Sequence, residues 1–160
     1  MLARNKVNSC WGSVKTSTGA VDLKRNCPTC KTPGQKVSIR TVKHLVLDSL
    51  GESIIHDDYF ICVSDKCDVV YFQNSYEKIV TRNQLKVPVW FKEGAAPKYI
   101  CYCSKITEEE IINSVLYSNA KTLLDVVKIT GAMKNCNCEV NNPLGICCGP
   151  YIQEILDGIL

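Results

Sequence analysis

A chain of 160 residues is long enough for one ordinary domain or two small ones. Its formal net charge of +3 is too mild an excess to name a partner. Eleven cysteines are far above background, and an odd number excludes complete disulfide pairing.

The amino-terminal stretch "MLARNKVNSCWGS" has no apolar core segment and no small-residue cleavage site, so it does not read as a signal peptide. Nothing approaches the run of about 18 apolar residues that a membrane-spanning helix needs. A cytoplasmic location follows as the expectation. In a reducing compartment, many cysteines mean metal binding before disulfides. The charge is unevenly spread. Residues 1–50 carry nine Lys and Arg against two acids, and residues 51–160 carry ten against fourteen. A basic front half suits nucleic acid or an acidic partner, but a solvated face around a metal site explains it equally simply.

Cys27, Cys30, Cys62 and Cys67 form one cysteine group. Cys101, Cys103, Cys136, Cys138, Cys147 and Cys148 form another, and Cys10 stands alone. Between the groups, "VPVWFKEGAAPKYI" carries turn and linker chemistry in Gly94 and Pro97. A boundary near residues 93–97 divides the chain into a first module, 1–96, and a second, 97–160.

In the first module, "NCPTCKTPGQK" is a C-x-x-C knuckle. Its spacing lets Cys27 and Cys30 face one ion across a tight turn. "KVSIR" reads as a short strand. Thr41 reads as the cap of a helix over 42–50, with Val42, Leu45, Val46 and Leu50 on one face and Gly51 as its stop. "IIHDDYFIC" and "DVVYF" alternate and are rich in aromatic and β-branched residues, which predicts a hairpin. Cys62 and Cys67 close it as C-x4-C. Two thiol pairs fit a tetrahedral structural zinc. A module of this size has a thin core, so the metal would supply much of its stability. His44 and His56 are the only histidines, and catalytic zinc usually has histidine and an open position. Asp68 and Cys10 are the substitutes should one cysteine not bind. Tyr71, Phe72, Trp90 and Phe91 are expected in the core rather than on a partner-facing patch.

In the second module, Thr107 with Glu110 makes a capping box, and Glu108 to Glu110 complement the helix dipole. Ile111, Ile112, Val115 and Leu116 give that helix an apolar face. Thr122 caps a second helix that Gly131 ends, and Pro150 opens a third carrying Ile152, Ile155, Leu156 and Ile159. The cysteines fall on loops at the ends of these helices. C-x-C spacing is uncommon for structural zinc and suits an iron–sulfur cluster, whose sulfurs accept backbone amides. A second zinc site remains open on spacing alone.

"CYC", "TEEEI" and "CNCEVNNPLGICC" resemble the bacterioferritin-associated ferredoxin type of [2Fe-2S] domain. "NCPTCKTPGQKVSIRTVKHLV" and "CDVVYF" resemble the zinc-binding part of the amino-terminal domain of archaeal CopZ copper chaperones. The likeness covers about residues 22–155, with both metal motifs in order. It implies an α+β fold in which a small zinc-stabilised hairpin and helix module precedes a short-helix [2Fe-2S] module. It implies zinc on Cys27, Cys30, Cys62 and Cys67, and Cys101 and Cys103 as the first two cluster ligands.

The third ligand is Cys136 or Cys138 and the fourth Cys147 or Cys148. The ferredoxin type closes with a tight C-x-x-C, whereas here "EVNNPLGI" intervenes, which matches CopZ better. Cys138 lies directly ahead of that segment and Cys148 nearest the helix start, so these two are the expected pair. One of Cys136 and Cys138, and one of Cys147 and Cys148, is then a spare thiol. The M-x-C-x-x-C copper loop of the family's second domain does not occur in this sequence, so copper delivery is not carried over. The functional expectation is a one-electron carrier, without catalysis of its own, serving a larger oxidoreductase of the flavin-dehydrogenase kind. The alternatives are a copper-handling accessory that reduces Cu(II) or binds Cu(I), and a redox-sensing or nucleic-acid-binding zinc module.

Overall fold

The structure is a computed structural model that describes residues 25–160. Cys10 lies outside the described residues.

Four short strands form an antiparallel sheet in chain order: β1 (Gln35–Val37), β2 (Tyr59–Ile61), β3 (Val69–Gln73) and β4 (Ile79–Thr81). The expected hairpin is β2 and β3. The period of two sorts β2 between two apolar clusters. Tyr59 and Ile61 face the main core, while Phe60 and Cys62 face a smaller cluster with Cys27, Cys67, Val69 and Phe72. A register irregularity between Val69 and Tyr71 lets Val70 and Tyr71 both join the main core. Gly34 is small for a packing reason. A Cβ there would lie 2.6 Å from the Phe72 ring.

The expected helix over 42–50 is two pieces. α1 runs Ile39–Leu45 and α2 is a single turn, Asp48–Gly51. Ser38, not Thr41, is the cap, and its hydroxyl accepts from the Arg40 amide. This also shortens the strand expected over 36–40. The break has a distant cause. Val46 is extended and bridges to Leu85, with the Leu47 amide donating to Gln84 and the Lys86 amide donating to Leu45. That second chain is held in place by a 3-10 turn, Arg82–Gln84, capped by Thr81.

A ribbon of β5 (Tyr99–Cys101) and β6 (Ile106–Thr107) opens the second half. α3 (Glu108–Leu116) carries the expected Thr107–Glu110 capping box. α4 (Leu123–Thr130) has a second box, Thr122–Asp125, and ends on Gly131 in the left-handed region at φ 79°. Each cap contributes about 1 kcal/mol. α5 is one turn, Cys138–Asn141, and α6 runs Gly149–Ile159 with Pro150 in its first turn. α3 packs on α4 and α6, and α1 packs on α5. The result is the mixed α+β fold expected.

One core runs through both halves. Val42, Leu45, Tyr71 and Val80 belong to the same buried cluster as Cys101, Ile111, Val126, Ile152 and Leu156. The stretch between the cysteine groups is fastened to it. Trp90 packs at 5.0 Å, ring centre to ring centre, against Tyr151 of α6, and Tyr71, Phe72 and Trp90 are buried. The Tyr102 hydroxyl donates to the Pro88 carbonyl at 2.7 Å and accepts from the Trp90 amide at 3.0 Å. Among the described residues, no helix is long and apolar enough to cross a membrane.

Candidate metal centres

The Cys27–Cys30 knuckle is shaped by its backbone. The Lys31 amide donates to the Cys27 carbonyl at 3.0 Å, the Cys27 amide donates to Thr32 at 2.8 Å, and Lys31 itself is left-handed at φ 64°. Cys62 follows β2 and Cys67 precedes β3, so the sheet presents the second pair to the first. The four sulfurs all lie within 4.8 Å of one another. Cys27 and Cys67 are 3.8 Å apart, and Cys30 and Cys62 are 3.5 Å apart. A tetrahedron with zinc–sulfur bonds of about 2.3 Å has edges of about 3.8 Å, so the donor set fits a zinc ion.

Burial raises the Cys62 and Cys67 thiols. At Cys30 burial also acts upward, but hydrogen bonds from the Thr32 side chain and backbone, Cys62 and Cys27 prevail and bring it down to about 6. Metal binding requires all four as thiolates, which leaves net negative charge around a divalent ion. Lys92 stands behind this site. It is 3% exposed, and its ammonium donates to the carbonyls of Ser64 at 2.7 Å, Cys67 at 3.1 Å and Val69 at 2.8 Å. No local pattern in the sequence marks this lysine, because its partners lie 23 to 28 residues away.

The rival ligands are placed elsewhere. His44 and His56 are exposed and outside the group of four. Asp68 is paired with Arg82 at 2.9 Å.

The second thiol group is assembled from three elements. Cys101 ends β5, Cys103 lies in the turn to β6, Cys138 opens α5, and Cys148 immediately precedes α6. Their contacts form a chain. Cys148 hydrogen-bonds Cys101 and Cys138, and Cys103 donates to Cys138 at 3.7 Å. The Cys103 hydrogen bond holds Cys138 down to about 3, with help from Cys148. The Cys148 hydrogen bond brings Cys101 to about 6, against its burial and with help from the Met133 amide. Cys103 and Cys148, the donors in these pairs, are raised.

Two further donors face the group. The Met133 amide lies 3.3 Å from the Cys101 sulfur. The Ser104 hydroxyl is buried beside Cys101 and meets no partner of good geometry among the described residues. An orphaned hydroxyl and a backbone amide aimed at sulfur are the surroundings an anionic iron–sulfur cluster uses, so the residues fit that group.

Cys147 is a free, half-buried thiol beside Cys138, and its sulfur accepts the Gly149 amide at 3.5 Å. Cys136 departs from the expectation that the other cysteine of its pair would be spare, because it is disulfide-bonded.

Comparison with known proteins agrees with this geometry. A zinc binding domain of the CopZ type matches residues 24–86, and a BFD-like [2Fe-2S] binding domain matches residues 99–158. The X-ray structure of the CopZ N-terminal domain of Archaeoglobus fulgidus superposes with a TM-score of 0.69 at 33% identity, covering 82% of this chain and 97% of that one. The chain belongs to the family of the CopZ amino-terminal domain. Zinc and a [2Fe-2S] cluster are its cofactors. The copper chaperone CopZ of the same organism is 35% identical over 130 residues, which are 81% of this chain. The chain spans 60% of that relative's length.

Proposed function

We propose that Cys27, Cys30, Cys62 and Cys67 hold the zinc, that Cys101, Cys103, Cys138 and Cys148 hold the [2Fe-2S] cluster, and that the protein carries single electrons. The observation that carries this reading is the chain of four thiols, Cys101 and Cys148 buried and Cys103 and Cys138 half-buried, with the Met133 amide and the Ser104 hydroxyl beside Cys101. The cluster supplies one-electron transfer when bound. The residues around it hold four thiolates, offer hydrogen bonds to sulfur and keep Cys101 and Cys148 away from water. The zinc group is structural. Its four positions are filled by sulfur, with no place left for a substrate.

The residues support Cys148 over Cys147 as the fourth ligand. Cys148 is 1% exposed and touches both Cys101 and Cys138, whereas Cys147 is half-buried. Iron, sulfide and zinc analysis, with electron paramagnetic resonance (EPR) before and after dithionite, tests the whole reading. Two irons and one zinc per chain are expected, with a signal that appears on reduction. Cys148→Ser is expected to lose or alter the signal and Cys147→Ser to keep it. Two zincs and no iron would end the electron-carrier reading.

A protein redox partner, an oxidoreductase of the flavin-dehydrogenase kind, is the first reading of where the electron goes. It rests on the use of related cluster domains in such enzymes. A second reading is favoured by the relative named copper chaperone CopZ. Here the [2Fe-2S] group held by Cys101, Cys103, Cys138 and Cys148 would supply the one electron that Cu(II) needs to become Cu(I). Stoichiometric reoxidation of the reduced protein by Cu(II), with Cu(I) captured by a chelator, supports the copper reading. Turnover only with a flavoprotein supports the first. The place of action in either case is the cytoplasm. Nucleic acid is not part of the reading; among the described residues of the basic half, Lys36 and Arg40 pair with Asp58 and Glu139.

A further inference from the structure

Nine residues, 139–147, separate Cys138 from Cys148. A loop of that length can present its two ends in many ways, and holding one arrangement opposes its conformational entropy. The fasteners that hold it come from the zinc-binding half. The Thr41 hydroxyl of α1 donates to the Glu139 carbonyl, one residue after Cys138. The Tyr71 hydroxyl of β3 donates to the Pro143 carbonyl at 2.7 Å, at the middle of the loop. Thr41 and Tyr71 are both fully buried.

Shape completes the attachment. Gly145 sits over Thr41 at φ 68°, and a Cβ there would lie 3.0 Å from the Thr41 hydroxyl oxygen. Leu144 is buried in the shared core, and its amide donates to the Asn142 side chain at 2.9 Å. Thr41 and Tyr71 lie on elements of the zinc-binding half, β3 beginning two residues after Cys67.

We propose that Thr41 and Tyr71 are positioning residues for the cluster. They fix the loop that sets Cys138 against Cys148, so the fold around the zinc governs how tightly the [2Fe-2S] cluster is kept. The inference rests on the ligand assignment above. Losing either hydroxyl leaves a buried carbonyl without its donor while the packing stays filled.

The test uses the fully loaded protein with Tyr71→Phe, Thr41→Val and Thr41→Ser. Tyr71→Phe and Thr41→Val should keep one zinc per chain and an unchanged far-ultraviolet spectrum. Each should release iron to a chelator roughly tenfold faster, the scale of one lost buried hydrogen bond. Their reduced EPR spectra should shift, and amides of residues 139–147 should exchange faster than those of α3. Thr41→Ser should restore the wild-type release rate. Wild-type release rates and spectra in Tyr71→Phe and Thr41→Val would overturn the proposal. So would zinc and iron lost together, which would mark a general loss of fold. A separate arm tests the ligand assignment. If Cys148→Ser keeps the cluster spectrum and Cys147→Ser destroys it, that assignment fails whatever the hydroxyl variants do.

Discussion

The two thiol groups differ in how far the chain prepares them. The first stands on one knuckle and one hairpin, with four sulfurs already at tetrahedral spacing and three of the four cysteines buried. The second draws on a ribbon, a one-turn helix and the residue before α6, and a fifth thiol lies at its edge. The first has the closed four-sulfur shape that one ion fits, and it suits a structural part. The second leaves its sulfurs among donors that distinguish one charge state from another, which suits an electron carrier. The contrast arises because one group is built by neighbours in a sheet and the other by loops that need outside support.

The largest way to break the contrast is to open the closed site. Cys62→Ser should release zinc and lower the melting temperature by more than about 10 °C, since structural zinc contributes several kcal/mol of folding energy. Iron should be lost too, because the two halves share one core. Cys148→Ser should spare the zinc and change the melting temperature far less. Scanning calorimetry with metal analysis of both variants checks this. Equal melting temperatures would mean that the zinc does not hold the fold.

A smaller effect should come from Lys92→Met. The substitution keeps the volume and removes the donor that three carbonyls share, two of them at Cys67 and Val69. Leaving buried acceptors unpaired, and the thiolates without their buried cation, costs about 2–4 kcal/mol. Zinc should pass to a chelator faster while the cluster's EPR signal keeps its shape. Lys92→Arg has a longer, planar head and should rescue only partly. A signal that changes shape would show that Lys92 acts on both sites.

These residues mark what the sequence made legible. Local signals were sufficient where the chemistry is local. The capping box at Thr107, the cap at Thr122, the stop at Gly131 and the helix start beside Pro150 each concern residues within a turn of one another. The pairing of cysteines by spacing was legible for the same reason. The broken helix was not, because Leu85 pulls Val46 out of it from 39 positions away. Lys92, Thr41 and Tyr71 were hidden too. Their partners are 23 to 98 residues distant, and nothing near them in sequence says that a carbonyl will lie there. The one-turn α5 and the β5–β6 ribbon are too short for any periodicity to show.

The smallest predicted effect belongs to Ser104. Its hydroxyl is buried beside Cys101 without a good partner, and a bound thiolate would give it one. A hydrogen bond to sulfur favours the more negative, reduced state, so removing it should lower the reduction potential. Ser104→Ala should shift it down by a few tens of millivolts, on the order of the 59 mV that represents tenfold for a one-electron couple. Zinc content and melting temperature should hardly change, since the hydroxyl has no other partner to lose among the described residues. Potentiometric titration followed by EPR reads the shift directly. A potential that stays fixed would mean that the hydroxyl does not reach sulfur once the cluster is in place. The Met133 amide would then be the donor that tunes this site.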